Sequence, residues 1–165
     1  MMKKWILFIL LFVVIGISSC LKSGSSVTQN CSPVTVTAPA SEVAALKMYI
    51  DTNHIVATQD SRGFFYTIDS SIGSGTARPT ICSAVSATYI GTYLNGKVFD
   101  SSLTNPASFS LNGVITGWGE AVPLMRLNES MTLYLPPTLA YGAAGYGPIP
   151  GNSYLRFNIK LLAFN

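Results

Sequence analysis

The sequence predicts an α+β fold in which an antiparallel sheet is built around one short central helix, with a further helix before the sheet. Three observations predict it. Segments of alternating apolar and polar residues, rich in Val, Thr and Tyr, recur after residue 53, as in half-buried strands. Turn-forming residues separate these segments by short distances, which favours hairpins. Strands, one short helix and further strands then follow in an order typical of α+β proteins.

The first twenty residues, MMKKWILFILLFVVIGISSC, have the layout of an export signal. Two lysines precede an apolar run from Trp5 to Ile17, which is too short to span a bilayer comfortably. The residues GISSC resemble a bacterial lipobox, so we expect cleavage of residues 1–19 and lipidation of Cys20. The alternative is an ordinary secretory signal cut nearby. In some bacteria an aspartate after the lipidated cysteine retains lipoproteins at the inner membrane, and here that position is Leu21. The sequence therefore favours the outer membrane, with the domain facing the periplasm or the exterior.

The net charge excludes one class of partner. The chain has 10 Lys+Arg against 7 Asp+Glu, and loss of Lys3 and Lys4 with the signal leaves 8 against 7, a net charge near +1. A nucleic-acid-binding surface requires a clustered basic face, which this balance does not supply.

Residues 20–40 read as a tether that holds the globular part away from the membrane, because they are rich in Ser, Thr and Pro and contain little to bury. With Cys20 used for lipid, Cys31 and Cys82 remain. Two cysteines in an exported protein suggest a disulfide, and the alternative is two unpaired thiols.

Residues 41–62 are expected to form a helix and a strand that precede the main domain. Ser41 is a plausible N-cap for the helix, whose rough apolar stripe is Val43, Leu46, Met48 and Ile50. This helix is expected to be a lid or a packing element. The segment HIVATQD then pairs with GFFYTIDSS around the turn DSRG as a hairpin.

The main domain is expected over residues 63–165. CSAVSATYIGTYL has the composition of a half-buried strand, and NGK at Asn95 to Lys97 is a hairpin signal before VFDSS. NESMTLYLPP and SYLRFNIKLLAF are two more strands. Before NESMTLYLPP, the segment VITGWGEAVPLM predicts the central helix, starting near Gly119 with Pro123 in its first turns.

Acid–base, metal and nucleophilic chemistry find little support in the sequence. After the signal the chain has one histidine, His54, which is expected on the surface or at the helix end, and no cysteine pair has metal-ligand spacing. No GxSxG segment is present to supply a nucleophile. The carboxylates include no close pair suited to glycoside hydrolysis. We expect neither a metal nor a cofactor.

Aromatic and branched apolar residues are instead abundant at strand ends and loops, and here a family resemblance is evident. The segments YIGTYLNGKVFDSS (89–102), VITGWGEAVPLM (114–125), LPPTLAYGAAG (135–145) and IPGNSYLRFNIKLL (149–162) closely resemble the FKBP-type peptidyl-prolyl cis-trans isomerases. GFFYTIDSSIGSGTARP (63–79) resembles that family's opening strand. The four main motifs occur in the family's order, which makes the signal specific.

The resemblance implies a curved antiparallel sheet wrapped around the short helix, with an apolar pocket whose floor is Trp118. It implies isomerisation of X–Pro bonds in exported proteins and binding of macrolides of the FK506 and rapamycin type. The oligomeric state is left open by the sequence, with a tethered monomer as the default expectation. The implied catalytic residues are Tyr89, Phe99, Asp100, Trp118 and Tyr141, and the implied substrate-binding residues are Phe109, Val114, Ile115, Tyr146, Ile149 and Phe157.

The expected chemistry requires no proton transfer. A dry aromatic pocket disfavours the polar planar amide relative to the twisted transition state. We expect the Tyr141 hydroxyl to bind a substrate carbonyl, backbone groups of Val114 and Ile115 to hold the peptide, and Asp100 to orient Tyr89 or to polarise the amide.

The chain departs from the family pattern in several places, and two of them concern the expected pocket residues. Residues 103–113 are shorter than usual, which leaves Asp100 without its expected arginine partner and makes Phe109 an uncertain part of the pocket. Tyr146 stands near a position where other members often carry histidine. The alternatives to an active isomerase are therefore a binding or chaperone module with the same pocket and, more remotely, a surface glycan-binding lipoprotein.

Overall fold

The computed structural model describes residues 35–165. The predicted signal, Cys20, Cys31 and most of the tether lie outside the described residues, and so does the predicted pairing of Cys31 with Cys82. Cys82 is exposed in the turn just before the strand that begins at Ala84. Within residues 35–165 no helix combines the length and the apolar character needed to cross a membrane.

One antiparallel sheet organises the described part of the chain, and it confirms the predicted α+β architecture. Its spatial order is β1-β2-β6-β7-β3-β4, with β5 also paired to β3. The strands are β1 (Thr58–Gln59), β2 (Phe65–Asp69), β3 (Ala84–Tyr93), β4 (Val98–Ser101), β5 (Ala107–Ser110), β6 (Ser130–Leu135) and β7 (Leu155–Phe164). The register of β3 shifts once against β4 and once against β7, and such bulges bend a strand.

Both predicted hairpins are present. β1 and β2 pair around residues 60–63, and Gly63 has φ +102°. The NGK turn joins β3 to β4, with Gly96 at φ +85°, a left-handed conformation that glycine adopts without strain. β5 was not predicted, because its four residues lie in the shortened 103–113 segment. It pairs with the first part of β3, while β4 pairs with the last part, so both lie along the same edge of β3.

The central helix α2 (Thr116–Ala121) lies on one face of the sheet and continues as a 3₁₀ turn at Val122–Leu124. It begins three residues before the predicted start, so Pro123 falls at its end instead of in its first turns. Five of its six residues are buried. The sheet face below it is lined by alternate residues of the two central strands, namely Met131, Leu133, Leu135, Leu155, Phe157, Ile159 and Leu161.

Helix α1 (Ala40–Thr52) packs on the opposite face of the sheet. It starts at Ala40 after Pro39, so the prediction that Ser41 caps it is wrong. Leu46 and Ile50 are buried against Phe65 and Tyr134, which are paired on neighbouring strands. The predicted stripe is otherwise incomplete, since Met48 is 68% exposed. The helix is a packing element of the described fold.

Close approach of α2 to the sheet depends on Gly117. A Cβ at this position would lie 2.3 Å from a methyl carbon of Leu135. We therefore expect Gly117→Ala to lower the free energy of unfolding by about 1–3 kcal/mol, despite the better helix propensity of alanine. Urea unfolding measures the change.

The matched control is Gly113→Ala, because a Cβ at Gly113 has no atom within 4 Å and the residue is exposed. Equal losses in the two variants would contradict the close-packing interpretation.

Candidate active site

An aromatic cavity of about 220 Å³ lies between the sheet, α2 and the loop after β6. Nine of the eleven pocket residues expected from the family resemblance line it, together with one that was not expected. The lining residues are Tyr89, Phe99, Asp100, Phe109, Gly113, Val114, Ile115, Trp118, Tyr141 and Phe157. The cavity therefore draws on segments separated by up to 68 residues of chain, from Tyr89 to Phe157.

Trp118 is the centre of this ring cluster. Its side chain meets three other rings edge to face, with centroids 5.3 Å from Tyr89, 5.5 Å from Phe109 and 5.5 Å from Phe157. Such geometries are preferred by aromatic quadrupoles and contribute about 0.5–1.5 kcal/mol each beyond area burial. Trp118 is 4% exposed, and its buried Nε1 has no acceptor among the described residues.

Phe109 belongs to the wall of the cavity, which the sequence left uncertain. β5 places it opposite Val85, and its ring lies 5.9 Å from that of Tyr89. The shortened 103–113 segment therefore keeps the aromatic wall, because four of its residues still pair with β3.

Gly91, near the end of β3, makes room for two rings. A Cβ at this position would lie 2.6 Å from Phe99 Cζ and 3.1 Å from Phe157 Cε1. Neither Gly91 nor the lining residue Gly113 was expected in the site. For Gly91 a signal was available, because an isolated glycine inside a strand often marks a close approach.

Asp100 and Tyr89 form the polar part of the wall. The Tyr89 hydroxyl donates a hydrogen bond to Asp100 Oδ2 over 2.5 Å. Burial raises the pKa of Tyr89 far above its ordinary value, and the bond to Asp100 raises it further. None of the ion pairs within residues 35–165 includes Asp100, in agreement with the missing arginine.

Tyr141 and Tyr146 stack face to face, with ring centroids 5.6 Å apart and planes 13° from parallel. Tyr141 lines the cavity, whereas Tyr146 is 71% exposed and lies outside its lining. Burial raises the pKa of Tyr141, with smaller contributions from Asp100 and Tyr146.

Ile149, the other expected binding residue, is 5% exposed and belongs to the core beneath the loop. Two backbone hydrogen bonds of 2.9 Å join Tyr146 and Ile149 and close the loop tip. The structure thus brings nine expected residues together and places Tyr146 and Ile149 just beyond them.

Nothing in the described part of the chain groups three or more His, Cys, Asp or Glu side chains as a metal site would. His54 is exposed just after α1, as expected from the sequence. The chemical resources of the cavity are aromatic faces, one carboxylate and two tyrosine hydroxyls.

Comparison with known proteins identifies the family. Residues 75–162, more than half of the chain, match the family model of FKBP-type peptidyl-prolyl cis-trans isomerase. The chain belongs to this family.

Two relatives illustrate the match. The FKBP-type peptidyl-prolyl cis-trans isomerase FkpA of Escherichia coli K12 is 42% identical over 104 residues, which cover 62% of this chain and 38% of that protein. A peptidyl-prolyl cis-trans isomerase of Schizosaccharomyces pombe is 40% identical over 100 residues, which cover 58% of this chain and 89% of that one. The chain thus spans about two fifths of the length of the FkpA protein.

The fold agrees with solved structures as well. The crystal structure of FkpA from Escherichia coli matches with a TM-score of 0.67 and 35% identity, over 76% of this chain and 60% of that one. A peptidyl-prolyl cis-trans isomerase from Pseudomonas syringae matches with a TM-score of 0.65 and 28% identity, over 79% and 98% of the two chains. These matches confirm the predicted FKBP-like α+β fold.

The Tyr89–Asp100 pair predicts a measurable titration. Asp100→Asn removes the negative charge beside the hydroxyl, so we expect the pKa of Tyr89 to fall toward its ordinary value while the effect of burial remains. Tyrosinate absorbance during alkaline titration measures this, and Tyr89→Phe identifies the signal.

The same shift sets the direction of a stability change. The folded pKa of Tyr89 exceeds the unfolded one, so the stability that it contributes is complete below about pH 10 and is lost as the pH rises further. Asp100→Asn should reduce this alkaline loss. A Tyr89 titration that Asp100→Asn leaves unmoved would contradict the assignment.

Proposed function

We propose that this chain catalyses cis-trans isomerisation of X–Pro peptide bonds and thereby assists the folding of exported proteins. The observation that carries the proposal is the aromatic cavity with Trp118 at its centre, in a member of the FKBP-type family. The cavity offers apolar faces and hydroxyl groups, which suit a reaction that breaks no covalent bond.

The barrier to rotation about a peptide bond is about 18–20 kcal/mol, because resonance gives the C–N bond partial double-bond character. The planar amide is more polar than the twisted one, so removing it from water raises the ground state relative to the transition state. The buried rings of Trp118 and Phe157, with the half-buried rings around them, supply such surroundings. Each 1.4 kcal/mol of differential stabilisation gives about a tenfold rate increase.

The polar groups on the wall would hold the peptide. Tyr141 is protonated at neutral pH, as tyrosine ordinarily is. Burial raises its pKa further, so its hydroxyl is a donor for a substrate carbonyl. The Ile115 carbonyl accepts the N–H groups of Trp118 and Gly119, and this fixes the backbone on which the peptide would lie. Asp100 would orient Tyr89 through the short hydrogen bond between them.

The unaccepted indole N–H of Trp118 also supports a functional role. A buried donor without an acceptor costs about 1–3 kcal/mol, so each such group in a native protein calls for an explanation. For Trp118 we take the explanation to be its place at the centre of the cavity, where the indole contributes to binding in addition to stability.

The proposed substrates are proline-containing segments of unfolded exported proteins, and macrolides of the FK506 and rapamycin type are proposed as competing ligands. We propose that the chain acts as a monomer without a cofactor, held in the cell envelope by lipid on Cys20, the outer membrane being favoured. The N-terminal signal pattern that ends at Cys20 supports the proposed envelope location.

A disulfide between Cys31 and Cys82 is proposed on the same grounds. Mass spectrometry of protein purified from the envelope tests both modifications. An unmodified Cys20, or the absence of a linked Cys31–Cys82 peptide under non-reducing conditions, would contradict the respective proposal.

One observation favours a second candidate, a binding or chaperone module that turns over poorly. Asp100, a carboxylate on the cavity wall, has no cationic partner within residues 35–165, unlike the arrangement expected from the family pattern. An exchange measurement on a peptide that contains Ala-Pro-Phe separates the two. The isomerase accelerates exchange, whereas peptide binding without acceleration would establish the binding module and refute the enzyme.

Replacement of Tyr141 by Phe is expected to slow the exchange by roughly 2- to 10-fold, since it removes one hydrogen-bond donor and little volume. The melting temperature should hardly change. Tyr66→Phe is the matched control, because Tyr66 is partly buried in the same core but does not line the cavity.

Trp118→Ala should slow the exchange more, and it should also cost about 3–5 kcal/mol of stability because it empties the centre of the cluster. Both rates are compared at a temperature where circular dichroism shows each variant folded. Equal activity of Tyr141→Phe and the wild type would remove the hydroxyl from the mechanism.

A further inference from the structure

Helix α1 lies before the residues that match the family and on the sheet face opposite the aromatic cavity. None of its residues lines the cavity. One of its polar side chains nevertheless bonds to the turn that leads to Tyr141, and a second bonds to the residue that follows β3.

The first contact joins Glu42 to Thr138. One carboxylate oxygen accepts the Thr138 backbone N–H over 2.9 Å, and the other accepts its hydroxyl over 2.8 Å. Thr138 belongs to the 3₁₀ turn Pro137–Leu139, and it follows two prolines, which have no N–H to donate. The first backbone N–H that this turn can donate therefore bonds to a residue 96 positions earlier in the chain.

The turn held by Glu42 leads directly to Tyr141. The Pro137 carbonyl accepts the N–H groups of Ala140 and Gly142, both over 2.9 Å. These bonds enclose Tyr141 between two fixed neighbours, so the position of its ring follows from the position of the turn.

The second contact is linked only indirectly to the far end of the same loop, through the residues at the end of β3. The Tyr49 hydroxyl donates to the Leu94 carbonyl over 3.0 Å, directly after β3. The preceding residue, Tyr93, donates its hydroxyl to the Pro148 carbonyl over 2.8 Å and packs edge to face on Phe99. Helix α1 thus holds both ends of residues 138–148 through neighbouring segments.

We infer that Glu42 is a positioning residue for Tyr141, acting through the Thr138 turn, and that helix α1 is part of the isomerase machinery as a support for its loop wall. This rests on the proposed function. The carboxylate touches neither the cavity nor a substrate placed in it. Its effect is on where the Tyr141 hydroxyl lies.

The test compares Glu42→Ala with Asp51→Ala. Asp51 is an acidic residue of the same helix whose ion pair with Lys47 is exposed on both sides, so its loss should have little effect. We expect Glu42→Ala to slow Ala-Pro-Phe exchange roughly 3- to 10-fold under conditions where both variants are fully folded. Thr138→Val, which removes the hydroxyl donor, should also lower the rate. Thr138→Ser keeps both donors and should have the wild-type rate.

A double-mutant cycle separates positioning from general stability. In the Tyr141→Phe background Glu42→Ala should have almost no further effect on the rate, because the group that it positions is already absent. An equal fold loss in both backgrounds would overturn the inference.

A readout that needs no catalysis completes the experiment. In protein with labelled tyrosine rings, Glu42→Ala should shift the Tyr141 ring signal in the NMR spectrum, assigned with Tyr141→Phe, and Asp51→Ala should not. If the wild type fails to accelerate exchange, the proposed function fails, and the ring signal still decides the inference. A Tyr141 signal that Glu42→Ala leaves unmoved overturns it.

Discussion

The site depends on the contact between the Trp118 indole and the face of the sheet. The indole meets the rings around it edge to face at centroid distances of 5.3–5.5 Å, which requires α2 to lie very close to the strands. Gly117 permits this approach, since any side chain there would enter Leu135. Gly91 permits Phe99 and Phe157 to meet above β3. The cavity therefore exists because two positions lack a side chain as much as because aromatic residues surround them.

The polar groups on the cavity wall are two tyrosine hydroxyls and the carboxylate of Asp100. The aromatic wall surrounds the cavity with apolar faces, and burial raises the pKa of Tyr89 and of Tyr141. Both hydroxyls are donors at neutral pH, as in any tyrosine, and the raised pKa values extend this to more alkaline pH. Tyr89 directs its proton to Asp100, which leaves Tyr141 as the donor that faces a bound peptide in the proposed mechanism. A rotation about an amide bond needs these neutral donors and apolar faces, and no group that exchanges a proton.

A different helix packs on each face of the sheet. On one face α2 supplies the floor of the cavity, and on the other α1 packs through Leu46 and Ile50 on Phe65 and Tyr134. Loops pass around the edges between these layers, so a side chain on the outer helix can bond to a loop of the inner face. The exposed Tyr146 ring, stacked on Tyr141, extends the aromatic surface beyond the cavity.

The sequence by itself determined the class of fold, the order of the main strands and most of the cavity, because alternation, turn residues and family motifs are local signals. The NGK turn is one example, since its glycine must adopt a positive φ. Only the tertiary structure decided the pairing of β5, the start of α2 at Thr116, the stacking of Tyr146 outside the cavity and the bond from Glu42 to Thr138. Each of these depends on how close distant segments come in space, and hydrogen bonding and packing across such distances leave no periodic pattern in the chain.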